Sequence, residues 1–139
     1  MPPRIVKTIE DAKALVGQEI GVSDWVVVDQ DRINKFAAAT DDFQWIHVDT
    51  ERAAREMPNG QTIAHGYLVL SLLPALMDTL VTMPTLQRAI NYGLNKVRFK
   101  NPVPAGSRVR LRSVLLQAQK LESIGHLAER HQDRPGCVA

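Results

Sequence analysis

The sequence predicts a single domain of the α+β class over residues 1–139, and three features predict it. Residues 62–77 are almost uninterruptedly apolar, which is typical of a helix enclosed in a protein core. Residues 89–100 and the region around 108–112 alternate apolar and basic side chains, as half-buried β-strands do. With 139 residues, 45% of them hydrophobic, the chain can bury a core without disulfides or structural metals.

The first half of the chain carries the start and stop signals of short helices. Acidic residues open the segment 8–16 and a glycine follows it, which predicts a short helix there. Residues 20–28 become strand-like, and Asp29 can cap the helix that follows them. Further along, Asp49 or Thr50 is placed to cap another short helix.

The long apolar segment is the best candidate for the central element of the core. We expect a helix near residues 66–80 that is surrounded by protein, because its apolar residues cover nearly every side. Pro74 lies inside this helix, where a proline costs about 3 kcal/mol. A kink or a break near residues 70–73 is therefore expected.

The two predicted strands each have an apolar face and a basic face. The apolar positions are Val97, Phe99, Val109 and Leu111, and the basic positions are Lys96, Arg98, Lys100, Arg108, Arg110 and Arg112. The simplest interpretation is that the basic rows are the solvated outer face of a sheet, and a docking surface for phosphates is the alternative. After residue 116 the strand pattern gives way to near-helical spacing and a turn at residues 133–136.

Charge and hydropathy exclude several classes of function. A net charge of +2 is too small to indicate a nucleic-acid-binding protein. The first seven residues lack the apolar core of a signal peptide, and the longest apolar run is too short to span a bilayer. We therefore expect a soluble, cytoplasmic protein with no nucleic-acid partner and no membrane partner.

Cysteine and histidine usage argues against a metal centre. The single cysteine, Cys137, allows no internal disulfide and no cysteine-based metal site. The four histidines are His47, His65, His126 and His131, and none of them follows a ligand spacing such as His-Glu-x-x-His. We expect no metal.

The chemistry is expected at Asp42 and His47, which lie five residues apart just beyond a helical pattern. A spacing of five does not place two side chains on one helix face, so a turn or an extended segment is needed to bring them together. Histidine exchanges protons near neutral pH, which suits acid–base catalysis. Apolar walls would come from Phe43, Trp45 and Ile46. From these residues alone, a structural histidine satisfied by a carboxylate is the more common explanation.

Three separated motifs resemble a known family. They are Phe-Ala-Ala-Ala-Thr-Asp-Asp-Phe-Gln-Trp-Ile-His at 36–47 with Ala53 six residues later, Ile-Ala-His-Gly-Tyr-Leu at 63–68, and Asn-Tyr-Gly-Leu-Asn-Lys-Val-Arg-Phe-Lys-Asn-Pro-Val at 91–103. Together they resemble the MaoC-like, (R)-specific enoyl-CoA hydratase family (hydratase 2), and its nodulation protein N branch in particular. The resemblance covers residues 22–111.

The resemblance implies a fold and a site. The fold is the hot-dog fold, a long buried central helix wrapped by an antiparallel β-sheet, in a protein that normally forms a homodimer. Asp42 and His47 would be catalytic, and the Gly66 amide would hold the carbonyl oxygen of an acyl-CoA thioester. Tyr92 and Asn95 would line the substrate site or be ordinary sheet residues. Coenzyme A would enter only as part of the substrate, with no separate cofactor.

Two departures from the family pattern affect these expectations. The family usually has Asn-Pro where this chain has Gln44-Trp45, which bears on acyl-chain preference more than on chemistry. Members also continue with long strands after residues 109–115 and close with another beyond a Pro-x-Cys-Val-Ala segment, which here is residues 135–139. We therefore expect a shortened C-terminal strand region with an exposed sheet edge.

Two other functions compete with hydration of an enoyl thioester. One is an acyl-CoA thioesterase of the same superfamily, in which a carboxylate and water attack the thioester carbonyl. The other is a non-catalytic acyl-thioester binding protein. The histidine paired with the carboxylate favours hydration.

Overall fold

The computed structural model describes residues 2–120. Within them the helices are α1 Ile9–Ala14, α2 Gln30–Thr40, α3 Trp45–Val48, α4 Thr50–Glu56, α5 Gly66–Ser71 and α6 Leu73–Asp78. The strands are β1 Arg4–Ile5, β2 Glu19–Val22, β3 Val26–Val28, β4 Val81–Thr82, β5 Ser107–Val109 and β6 Arg112–Val114. The near-helical spacing after residue 120, the turn at 133–136 and the shortened C-terminal strand region all lie outside the described residues.

The strands pair two by two. β1 pairs with β4 in parallel, and β2–β6 and β3–β5 are antiparallel. Ser23 joins the two antiparallel pairs: its amide donates to the Leu111 carbonyl oxygen at 2.9 Å, and its Oγ accepts from the Leu111 amide at 2.9 Å. The hydroxyl thus substitutes for a backbone carbonyl where the ladder is interrupted. The result is one irregular antiparallel ribbon.

The predicted helix starts are confirmed. Thr8 forms a capping box with Asp11, and the bonds from the Lys7 and Thr8 amides hold the pKa of the Asp11 carboxyl below its ordinary value. Asp29 caps α2 and Asp49 caps α4, each accepting from the amide three residues later at 2.9 Å. These caps are local, so the sequence alone predicts them correctly.

The apolar segment forms two short helices in place of the expected single long one. α5 and α6 meet at Leu72, and Pro74 stands in the first turn of α6. The break lies where it was expected, because proline has no N–H to continue the helical ladder. The expectation of an enclosed helix is wrong for the described residues: Leu68 and Leu76 are buried on one side, whereas the Tyr67 side chain is 68% exposed.

The strand predicted over residues 89–100 is not formed. Residues 83–103 contain neither helix nor strand, and Phe99, expected on the buried face, is half exposed. Alternation is a local pattern, but a strand also requires a neighbouring backbone with which to pair. The second predicted strand is present as β5 and β6, with Val109 partly buried between exposed Arg108 and Arg110.

The core lies where the β3–β5 pair, α2 and α5 meet. Its buried residues are Val28, Ile33, Ala64 and Leu68, and the partly buried residues packed against them are Phe36, Val69, Leu72, Val103, Ala105 and Val109. Since α2 and α5 both pack on this cluster, the C-terminal end of α2 and the segment before α5 are held in fixed positions. Those are the two places that carry the predicted site residues.

Candidate active site

Asp42 lies in the connection between α2 and α3. α2 ends at Asp41, whose φ of 57° and ψ of 20° place it in the left-handed region that aspartate tolerates. The turn directs the chain away from the helix axis, and the Asp42 side chain remains 48% exposed. Its Oδ1 accepts a long 3.4 Å hydrogen bond from the Gln44 amide. The predicted helix-to-helix connection therefore carries the carboxylate, with half of its surface open to solvent or substrate.

His47 is buried and held by three hydrogen bonds around it. From the sequence we expect both residues in one helix-to-helix connection, but only Asp42 lies there, because His47 lies on the short helix α3. The Ile63 amide donates to the Ile46 carbonyl oxygen at 3.0 Å, and His47 Nδ1 lies 2.6 Å from the Ile63 carbonyl oxygen. On the other side, Gln30 Nε2 donates to the His47 carbonyl oxygen at 2.8 Å. α3 is thus fixed between α2 and the segment before α5.

The bond to Ile63 determines the tautomer of His47. A carbonyl oxygen can only accept, so Nδ1 carries the hydrogen and Nε2 of the neutral ring has a free lone pair. That nitrogen can accept a proton from water. A structural contact therefore prepares the imidazole for acid–base chemistry.

Asp42, His47 and His65 converge. One carboxylate oxygen and one ring nitrogen from each histidine all lie within 4.8 Å of one another. Two hydrogen bonds of about 2.8 Å to the same water span up to about 5 Å, so one water can contact both Asp42 and His47. The structure thus brings Asp42 and His47 together, and their action on one water stays a prediction.

His65 forms a hydrogen bond and two ring contacts within the site. Its Nε2 lies 2.9 Å from the main-chain oxygen of Asp42, and its ring stacks on that of His47 with centroids 3.9 Å apart and planes at 25°. Phe36 packs on the same ring with centroids 4.9 Å apart. The apolar contact of the site therefore includes Phe36, which sequence reasoning did not assign to it.

The apolar walls predicted next to the dyad are only partly formed. The Phe43 side chain is 57% exposed, and the Trp45 ring carries the Arg52 guanidinium 4.1 Å from its centroid. Ile46 is partly buried. Adjacent position in the sequence does not place a side chain in the cavity, because consecutive residues of α3 point in different directions.

Gly66 follows His65 directly and begins α5. As the first helical residue, it has an amide that precedes the helical ladder, and that amide has no acceptor within residues 2–120. A Cβ added at Gly66 would lie 2.7 Å from Cδ2 of Phe99. The Gly66 amide is therefore available as a donor, and only glycine fits here without displacing Phe99.

Tyr92 and Asn95 lie in the irregular segment 83–103 and are both exposed. The alternative in which they are ordinary sheet residues is wrong, since no strand forms there. Their assignment to the substrate pocket stays a prediction.

The ligand types of Asp42, His47 and His65 also invite a test for a metal ion. Because the Asp42 main-chain oxygen can only accept, the 2.9 Å contact uses the hydrogen on His65 Nε2 and leaves no lone pair there. His47 Nδ1 is likewise engaged with Ile63. Hydrogen bonds thus account for both of these nitrogens without a metal.

Comparison with known proteins identifies the family. A family model described as a MaoC like domain matches residues 11–132. The chain belongs to the MaoC-like family. It is 52% identical over 118 residues to 3-hydroxyacyl-thioester dehydratase Z of Mycobacterium tuberculosis (strain H37Rv), covering 85% of this chain and 78% of that protein. It is 50% identical over 115 residues to Nodulation protein N of Rhizobium leguminosarum bv. viciae, covering 81% and 70%.

A solved structure supports the hot-dog fold for this MaoC-like chain. The unliganded R-hydratase PhaJ1 from Pseudomonas aeruginosa has a TM-score of 0.58 and 28% identity, covering 77% of this chain. The match spans 63% of the PhaJ1 chain, slightly less than two thirds. The α+β class and the hot-dog fold predicted from the sequence are confirmed.

Sequence reasoning on this MaoC-like chain missed the residues that hold His47. Gln30 and Thr62 form one such pair: the buried Thr62 hydroxyl donates to Gln30 Oε1, and Gln30 Nε2 reaches the His47 carbonyl oxygen. The sequence did contain a signal for this pair. Thr62 is a polar residue at the edge of an apolar segment, and a buried hydroxyl needs a hydrogen-bond partner.

We expect Thr62→Val to lower the free energy of unfolding by about 1–3 kcal/mol, because it leaves a partly buried amide oxygen of Gln30 without its donor. The shape of the side chain is conserved, so packing changes little. Urea unfolding measures the effect. The matched control is Thr40→Val, whose exposed hydroxyl bonds only within its own helix and whose loss should cost less than about 0.5 kcal/mol. Equal losses of stability in Thr62→Val and Thr40→Val would contradict the role of the Thr62–Gln30 hydrogen bond.

Proposed function

We infer that this protein is an (R)-specific enoyl-CoA hydratase/dehydratase, which adds water across a trans-2-enoyl thioester to give a 3-hydroxyacyl thioester. The observation that carries the proposal is that the Asp42 carboxylate and the His47 ring lie within 4.8 Å of one another. His65, the residue before Gly66, stacks on the His47 ring. The relatives named as a 3-hydroxyacyl-thioester dehydratase and an R-hydratase support the same reaction.

The reaction requires a proton acceptor for water, a proton donor for the α carbon and a dipole for the thioester oxygen. The water oxygen bonds to the β carbon, one water proton moves through Asp42 and His47 to the α carbon, and the other stays on the new hydroxyl. Nothing is oxidised or reduced, so the reaction needs no redox cofactor. Because the two side chains lie close together, we assign the proton transfer to them as a pair.

The Gly66 amide is the proposed donor to the thioester oxygen. During addition, electron density moves from the alkene onto that oxygen, and an N–H directed at it lowers the energy of the transition state. Glycine allows the substrate to approach the backbone closely. His65 links this amide to the dyad, because its ring contacts both catalytic residues and its carbonyl carbon is bonded to the Gly66 nitrogen.

We expect Gly66→Ala to lower kcat by about tenfold or more, since the methyl group crowds the thioester. It should also cost about 1–3 kcal/mol of stability through the clash with Phe99. Gly66→Ala/Phe99→Ala separates the two effects, with Phe99→Ala alone as the control. The double variant should regain stability but not turnover. Recovery of wild-type turnover would make Gly66 a packing residue only.

The test of the function is an assay of crotonyl-CoA with the purified protein. Hydration removes the enoyl absorbance without releasing a thiol, whereas a thioesterase releases free coenzyme A. Chiral analysis of the 3-hydroxybutyryl product should give the (R) enantiomer. Thiol release without loss of the alkene would favour the thioesterase, and binding without turnover would favour a non-catalytic acyl-thioester binding protein.

The remaining parts of the proposal concern assembly and setting. Large apolar side chains are exposed between residues 67 and 99, namely Tyr67, Met83, Leu86, Ile90, Tyr92, Leu94 and Phe99. Exposed apolar surface of this extent supports a homodimer, in which a second copy covers it. Analytical ultracentrifugation tests this, and a dimer should sediment with twice the 15.5 kDa mass of one chain.

No helix within residues 2–120 is long and apolar enough to cross a membrane. We place the protein in cytoplasmic fatty acid metabolism, with coenzyme A present only in its substrate.

A further inference from the structure

One buried side chain contacts both members of the proposed dyad. His65 donates from Nε2 to the main-chain oxygen of Asp42 at 2.9 Å, and the same nitrogen lies 3.9 Å from Asp42 Oδ2. Its ring lies face to face with that of His47. Since His65 is only 2% exposed, water does not compete for these contacts. The two catalytic side chains are thus connected through a third one.

The second nitrogen of His65 shows that stability alone does not explain an imidazole here. With the hydrogen on Nε2, the neutral ring has a lone pair on Nδ1, and no donor within residues 2–120 reaches it. A buried acceptor without a partner opposes folding. A phenyl ring would fill the same space beside Phe36 and His47 without that cost. What the imidazole adds is the Nε2 donor.

That donor acts on a loop with little other support. The Asp41 turn directs Asp42 away from α2, and among residues 2–120 the carboxylate accepts only a 3.4 Å hydrogen bond from the Gln44 amide. In the described part of the chain, the bond from His65 is the hydrogen bond that joins the Asp42 main chain to the segment before α5. The position of the carboxylate relative to the His47 ring and the Gly66 amide depends on it.

We propose that His65 is a positioning residue for the hydration reaction, which sets the Asp42 loop by its Nε2–H. It exchanges no proton with the substrate. The proposal rests on the proposed hydratase function, and it adds a specific role for the donor at Nε2. Misplacement of a catalytic group by about 1 Å lowers the rate by up to about 10²-fold, so the loss of this donor should appear mainly in kcat.

Three substitutions of His65 separate the donor from the packing. His65→Gln places an amide N–H near the position of Nε2, whereas His65→Asn places one near Nδ1, where no partner is within reach. His65→Phe keeps an aromatic ring for stacking and has no donor. The full chain of each variant is purified, its thermal unfolding is measured, and kcat and KM are determined with crotonyl-CoA.

We expect His65→Gln to retain kcat within about threefold, and His65→Asn and His65→Phe to lose about tenfold to 10²-fold in kcat with KM changed by less than about threefold. His65→Phe should unfold at the wild-type temperature or above, because it removes the unpartnered Nδ1. Wild-type kcat in His65→Phe, or an equal loss in all three variants, would overturn the proposal.

An NMR measurement keeps the proposal testable if the wild-type protein shows no hydration. Long-range proton–nitrogen spectra of the imidazoles should show His65 protonated on Nε2 and His47 protonated on Nδ1 at neutral pH. In His65→Phe, the amide resonances of residues 41–44 should shift and exchange with solvent faster, whereas His65→Gln should resemble the wild type. The opposite tautomer of His65, or an unchanged loop in His65→Phe, would overturn the positioning role itself.

Discussion

Asp42→Asn should lower the hydration of crotonyl-CoA by about 10²-fold or more while the protein remains folded. Asparagine has nearly the same shape, and its side-chain oxygen can still accept from the Gln44 amide, but it cannot take part in moving a proton. Since the side chain is 48% exposed, the free energy of unfolding should change by less than about 0.5 kcal/mol. Steady-state kinetics and urea unfolding measure the two quantities separately.

The neighbouring carboxylate supplies a matched control. Asp41→Asn removes the same charge one residue earlier, and asparagine tolerates the left-handed φ of 57° at this position. Its turnover should stay within about twofold of the wild type, because Asp41 is not among the residues that converge on His47. A purified Asp42→Asn protein with wild-type turnover would remove Asp42 from the mechanism.

His47→Ala should reduce turnover by at least about 10²-fold as well, because alanine has no lone pair that can take the role of Nε2. Unlike the change at Asp42, it should also destabilise the protein by about 1–3 kcal/mol, since the partly buried Ile63 carbonyl oxygen loses its donor. His47→Asn separates these effects. Its amide lies near the position of Nδ1 and can still donate to Ile63, so stability should recover in part while turnover remains low.

When the two substitutions are combined, their losses of turnover should not multiply. Residues that move one proton as a unit lose most of their contribution when either is removed. Asp42→Asn/His47→Ala should therefore turn over crotonyl-CoA almost as fast as the slower single variant. Strictly multiplicative losses would mean that the two side chains act on separate steps.

Local features of the sequence predicted much of the site correctly. The cap at Asp29 sets the start of α2 before Asp42, and the cap at Asp49 sets the start of α4 after His47. Caps and turns use hydrogen bonds within three or four residues, so the sequence contains all of their partners. The three motifs of the MaoC-like family added the activity, which residue patterns alone left less favoured than a structural histidine.

The errors share a physical cause. The expected strand over residues 89–100 has the right alternation, but a ladder requires a paired backbone far away in the chain. The expected enclosure of α5 failed for the described residues because an apolar pattern does not specify what covers it, and Tyr67 stays exposed.

By itself, the sequence determined the class of fold, the helix caps at Asp29 and Asp49 on either side of the dyad, and the identity of Asp42 and His47 as the chemical candidates. Only the tertiary structure decided that His65 lies between them, that Ile63 sets the tautomer of His47, and that Phe99 packs over Gly66. These contacts join residues 16 to 33 positions apart in the chain. They form only when α2, α3 and α5 pack on one core, and packing depends on the whole chain, not on any one segment.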